Sequence, residues 1–315
     1  MPAMQADTYL TPPASQAPTP SESHDPGSFF LQELGDVDYE KYDGIELFAW
    51  TVDSQAKRAH SSNASEYVVF TQVAEDELAE IDDFRDTHRK ALRFMYLNDQ
   101  NTLIVKVMPG MIHESFGRGL MNAVWKKTIM MGVDEELITV GSTRFRGTGS
   151  QKEADEAVKP FASRPLEADW PTIIIECGIS RSLNHLRMVA RWWLQKSGGL
   201  VKIVLLISAS KATRSIHIEQ WEMSVHIVDI NVAPPPAPAV PAPVTAAPTV
   251  PAPVTVAPAV PVPAIPALVA TGAPLVLLFD KIFLRPPLAA QGEGNIILTA
   301  HDLEAYASRV WHGSQ

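Results

Sequence analysis

The chain of 315 residues contains one cysteine, Cys177, so no disulfide can form within it and the fold must hold without covalent cross-links. Outside a proline-rich tract its longest apolar runs, Ile203 to Ile207 and Leu275 to Phe279, are far short of the roughly 20 residues of a membrane span. It does not open on a basic stretch followed by an apolar core and a small-residue cleavage site, so no secretion signal is read. With the lone thiol, this implies a cytoplasmic or nuclear protein. A G-x-x-x-x-G-K-[ST] phosphate loop is missing, and no G-x-G-x-x-G follows a strand, which removes the support for nucleotide-dependent chemistry. His113, His185, His217 and His226 lack the spacing of zinc ligands. Basic residues are also outnumbered, 26 Lys and Arg against 36 Asp and Glu, for a net charge of -10, which argues against an extended DNA-coating surface.

The total hides an asymmetry. Residues 1–100 carry 19 acids against 7 bases, whereas residues 141–220 carry 12 bases against 7 acids. A local positive field is what a phosphate-handling site needs, although a solvated face of mixed charge has the same composition. Residues 1–60 begin with Pro, Ser, Thr, Ala and Gln and are read as a mostly disordered tail. Residues 61–232 read as one α/β domain, a mixed central sheet flanked by helices. Residues 233–270 are a low-complexity insertion of Pro, Ala, Val and Thr, in which PAPVT recurs at Pro241 and Pro251. Such a tract favours polyproline II and can offer a ligand to SH3 or WW domains, though no Lys or Arg flanks it to orient that docking. Residues 271–315 read as strands and an amphipathic helix that pack back on the main domain.

Within the domain, Glu66 to Thr71, Asn101 to Val107, Glu135 to Val140, Leu200 to Ser208 and Ser215 to Met223 read as strands. Glu75 to Tyr96 and His113 to Met131 read as helices, and Gly141 to Ser150 as a turn. The stretch from Trp170 to Leu194, WPTIIIECGISRSLNHLRMVARWWL, is a β-branched strand, an acid, a turn and an amphipathic helix capped by Ser180 or Ser182. Glu176 at the end of that apolar strand is costly unless it is paired, hydrogen-bonded or bound to a cation. Asp155, in KEADEAVKP, is the acid that could share a divalent cation with it, magnesium being the hard ion suited to two carboxylates.

Rival readings exist for the same residues. Ser180 lies between a strand and a helix, as the nucleophile of a serine hydrolase does, but the closing glycine of the G-x-S-x-G elbow is Ser182. Strand alternation turns Cys177 away from Glu176, as a buried structural thiol. Trp192 and Trp193 point about 100° apart on the helix, and Trp192 is either a packing residue or a platform for a base.

The stretches TLIVKVMPGMIHE, ELITVGSTRFRG, KEADEAVKP, DWPTIIIECGISRSLNHLRMVARWWLQKSGG, VKIVLLIS and IHIEQWEM, with PLVLLFDKIFLRPP and DLEAYASRVW, resemble the PD-(D/E)XK nuclease superfamily and a group of fungal proteins with that restriction-endonuclease-like core. The resemblance covers about half the chain. It implies a magnesium-dependent nuclease acting on DNA phosphodiesters, with Asp155 and Glu176 as metal-binding catalytic acids. The resemblance also implies Glu114 as a third metal ligand on the preceding helix, and Arg187 or Arg181 as a catalytic cation migrated to the following one. The chain departs from the pattern in three places. Ala154 replaces the proline, Gly178 replaces the lysine two residues after the second acid, and Val189 stands where relatives carry an acid. These departures leave open a fold that has lost catalysis and serves in binding or assembly.

Overall fold

The computed structural model describes residues 26–312 apart from 62–63, 90, 108–110, 142, 180–181, 223–224 and 233–267. In chain order its elements are α1 (Pro26–Glu33), β1 (Asp38–Lys41), α2 (Ile45–Ser61), β2 (Tyr67–Thr71), α3 (Glu75–His88), β3 (Arg93–Leu97), β4 (Thr102–Lys106) and α4 (Met111–Met131). There follow β5 (Leu137–Thr139), β6 (Arg144–Gly147), β7 (Ser150–Glu153), β8 (Glu156–Pro160), β9 (Ile173–Ile179), α5 (Leu183–Lys196), β10 (Ile203–Ser210), β11 (Ser215–Trp221) and β12 (Val225–Val232). The chain closes with β13 (Leu268–Thr271), β14 (Leu275–Leu277), α6 (Phe279–Phe283), β15 (Ile296–Leu298) and α7 (Ala300–His312). Among the described residues no helix is long and apolar enough to cross a membrane.

The fold is α/β, with mixed sheets flanked by helices. The larger sheet runs β13-β12-β11-β10-β9-β8-β5, parallel only between β9 and β10. Both faces of that parallel pair are covered, which is why Ile173 to Ile175 and Ile203 to Ile207 are continuous apolar runs. The second sheet runs β1-β2-β4-β3-β7-β6. Alternation sorts the side chains: Ile173, Ile175 and Cys177 enter a core with α4 and the C-terminal elements. Ile174 enters another core with α5, α1 and the facing side of the second sheet. A third core fills the far face of that sheet beneath α2 and α3. Residues 150–160 join the layers, because β7 belongs to the second sheet, β8 to the larger one, and Ala154-Asp155 is the link between them.

Three expectations are corrected. Residues 26–61 are not a disordered tail but form α1, β1 and α2, with Phe30, Leu34, Phe48 and Val52 buried; residues 1–25 lie outside the described residues. The helix expected over Glu75 to Tyr96 ends at His88, because Phe94 to Leu97 are all buried between neighbouring strands and pair with β4 and β7. The expected turn at Gly141 to Ser150 contains β6 and opens the β6–β7 hairpin. The proline-rich tract 233–267 is likewise outside the described residues, but its flanks are neighbours: Val232 on β12 pairs with Leu268 on β13.

Candidate functional site

Glu176 shares the side of β9 that carries Ile174, and so points between the sheets. It is 1% exposed. Asp155, on the link between sheets, is fixed to β9 by accepting the Cys177 amide with Oδ2 at 2.8 Å. The two acids meet over cations of the second sheet. Lys106, last residue of β4, donates from Nζ to Asp155 Oδ2 at 2.5 Å and to the Cys177 carbonyl at 2.5 Å, and lies 3.9 Å from Glu176 Oε2. Lys152 on β7 has its Nζ 3.1 Å from Glu176 Oε1 and donates to the Glu153 carbonyl at 3.0 Å. Trp193 Nε1 donates to the same Glu176 oxygen at 2.8 Å.

Two acids and two lysines therefore form a buried quartet whose formal charges cancel. Burial works against the Asp155 anion, yet Lys106, Lys152 and the Cys177 amide outweigh it and hold its carboxyl below the ordinary range. Glu176 goes the other way: burial, with the nearby Asp155 charge, raises it against the pull of Lys152, Lys106 and Trp193. Burial opposes the Lys106 ammonium, but the surrounding anions raise it. Asp155 Oδ1 and Glu176 Oε2 have no hydrogen-bond partner. Buried oxygens with spare lone pairs call for a further cation or a water.

Lys106 Nζ stands where three oxygens converge, those of Asp155, Glu176 and the Cys177 carbonyl. Two of these oxygens are bonded to the ammonium and the third, from Glu176, lies beyond hydrogen-bond reach. Among the described residues no group of three or more His, Cys, Asp or Glu side chains forms a metal cluster. The side chain of Glu114 lies outside the described residues.

Arg187 does not join the pair. Its guanidinium bonds both oxygens of Glu219 on β11, at 3.0 and 3.1 Å from Nε. Burial alone would raise Glu219, but Arg187, His217 and Trp221 bring it to about 2. The cations beside Asp155 and Glu176 are Lys106 and Lys152, which the sequence reading missed. Both follow apolar or polar strand patterns, and nothing local marks them as partners of acids in another sheet.

Gly178 shows why the expected lysine is missing. A Cβ there would lie 2.2 Å from Ser182 Oγ and 3.2 Å from Leu186 Cδ1. Ser182 is held by its bonds to Glu66 Oε2 at 3.2 Å and to the Ile179 carbonyl at 2.7 Å. Gly178→Lys is expected to lower the unfolding free energy by about 1–3 kcal/mol, read as a fall in urea midpoint, with part of the loss recovered in Gly178→Lys/Ser182→Ala. An unchanged midpoint in the single variant contradicts this packing argument.

The rival sites resolve as follows. Ser180 is outside the described residues, and His217 is engaged by Asp229 and by Glu219, the latter at 3.0 Å. Cys177 is buried on the far side of β9, where burial pushes its thiol well above the ordinary range. Trp192 is fully buried and donates to Ser150 Oγ at 2.9 Å, so its ring offers no platform to a base.

The quartet is nearly sealed. The cavity touching Lys106 and Lys152 measures about 10 Å³, room for about one water, and Leu34 and Val189 line it. A cleft of about 510 Å³ also has Leu34 in its wall, with Glu66, Ile179, Ser182, Asn184 and His185.

No family model matches the chain, and no curated protein matches it. Among solved structures it is similar to a nuclease candidate belonging to DUF820 from Anabaena variabilis, with 14% identity and a TM-score of 0.34. That match covers 45% of this chain and 81% of the other.

Proposed function

We propose that this chain is a magnesium-dependent nuclease of the PD-(D/E)XK kind, acting on DNA phosphodiesters at the seam between its two sheets. The observation that carries the reading is the meeting of Asp155, Glu176 and the Cys177 carbonyl around one ammonium, which bonds Asp155 Oδ2 and the carbonyl but leaves Glu176 Oε2, 3.9 Å away, and Asp155 Oδ1 without a hydrogen bond. These three groups would hold the metal. A divalent cation supplies polarisation of a phosphoryl oxygen and acidifies an attacking water. Asp155, kept ionised by its lysines, binds. Glu176, whose ionised form is opposed by burial, would bind beside it once a cation offsets that cost. Lys152 keeps a positive charge beside Glu176, the task that a lysine at position 178 has in the family pattern.

One observation favours a second reading, a fold that has lost catalysis and now binds or assembles: Lys106 fills the cation's place and the quartet is sealed. A supercoiled plasmid with Mg²⁺ or Mn²⁺ decides between them. The wild type is expected to cleave, and Asp155→Asn, which keeps the shape, is expected to lose about 100-fold or more in rate. Should the wild type leave DNA intact across these metals, or Asp155→Asn cut as fast, the catalytic reading is lost and the binding fold stands.

A further inference from the structure

We propose that the cleft beside this site and its rim are a binding surface for a nucleic-acid backbone, built on Arg58 in the cleft wall and on Arg191, which pairs with the cleft residue Glu33, and that residues 33–38 lie across it as a built-in mimic of that backbone. The inference rests on the nuclease reading above. The segment Glu33-Leu34-Gly35-Asp36-Val37-Asp38 carries three carboxylates across the wall of the large cleft. Each end is tied to an arginine: Arg191 to Glu33 at 2.7 Å, and Arg58 to Asp38. Between them His185 bonds the Leu34 carbonyl, and Gly35, with φ of +63°, lets the chain turn off α1. Leu34, fully buried, is a lining residue of both the cleft and the small cavity at Lys106 and Lys152.

The ties are of a kind that a polyanion can take over. All four ion-pair side chains are between 32% and 52% exposed, and exposed pairs contribute little to stability. A phosphate offers each guanidinium charged oxygens for the same charge-assisted hydrogen bonds that the carboxylate accepts. With the segment in place the cleft wall presents Glu33, Asp36 and Asp38 to solvent-borne phosphate, which that field repels. Lifting the segment withdraws these three acids, takes the carboxylates off both arginines, with Arg58 still bonded to Gln55, and removes Leu34 from the lining that the cleft shares with the small cavity.

The test is binding of a fluorescent 20-base-pair duplex, followed by anisotropy in EDTA. The full chain is compared with Glu33→Gln/Asp36→Asn/Asp38→Asn, with that triple plus Arg58→Ala/Arg191→Ala, and with a control triple of exposed acids elsewhere, Asp76→Asn/Glu135→Gln/Asp280→Asn. The segment triple is expected to bind about ten-fold tighter than both wild type and control, with a salt slope steeper by about 2, and the arginine changes are expected to erase the gain. Circular dichroism checks that each variant is folded. A control triple that gains as much, or a gain that survives loss of both arginines, overturns the proposal. Because no metal is present, absence of cleavage in the plasmid assay leaves this result standing, and absence of the binding gain leaves the plasmid result standing.

Discussion

Lys106→Met is expected to lower stability by about 3–5 kcal/mol in EDTA, and Mg²⁺ or Mn²⁺ is expected to restore part of the loss. Taking one member out of a buried ion pair leaves the other charge without a partner in a low dielectric, and that penalty exceeds the net worth of the pair. Here the deletion exposes two acids at once, since Lys106 neutralises Asp155 and lies 3.9 Å from Glu176. The sign of the pH dependence follows from their opposite shifts. Asp155, depressed, adds stability above the ordinary carboxylate range and loses it as pH falls through its folded value. Glu176, raised, is best tolerated when protonated and costs stability as pH rises through its folded value. Without Lys106 both acids resist ionising, so the deficit should be larger at about pH 7 than at about pH 4. A divalent ion at about 100 times its dissociation constant would return about 2.7 kcal/mol, seen as a metal-dependent rise in thermal midpoint. A variant as destabilised with metal as without it argues that the lysine is a permanent occupant and that the oxygen shell serves structure alone.

Trp192→Ala should be comparably severe, about 3–5 kcal/mol, because a fully buried tryptophan leaves a cavity its neighbours cannot close. Its ring meets Trp193 edge-on at 4.9 Å and Trp170 at 6.0 Å, and its N–H ties α5 to β7 through Ser150. Against a domain stability of about 5–15 kcal/mol that loss is large enough to show in any urea titration. The same change separates packing from base stacking: DNA affinity per folded molecule should match wild type. A near-native urea midpoint with weakened DNA binding would reverse the assignment.

What was legible in the sequence was local. The apolar run before Glu176 marked the acid as needing a partner, and the alternation along β9 told that Cys177 takes the opposite side from it. The Gly178 departure was legible too, as an absence, though not its cause, since Ser182 fills that space only once α5 has turned back over the strand. The cations were not readable. Lys106 and Lys152 come from a different sheet, and their meeting with Asp155 and Glu176 is set by how two layers stack rather than by any spacing along the chain. Arg187 was the natural choice from its place one helix onward, but Glu219 on β11 already offers it both carboxylate oxygens. The helix read through Tyr96 failed for a related reason. Alternation and helical spacing both fit a short apolar stretch, and pairing with β4 and β7 decides for the strand.

The pairing of Val232 with Leu268 gives the proline-rich tract a mechanical character of its own. A sequence that enters and leaves through adjacent rungs of one sheet edge sets no distance between two bodies, however long its contour. Whatever grips it would draw on β12 and β13 together, so that a pull on the tract is felt first by the last hydrogen bonds of that edge.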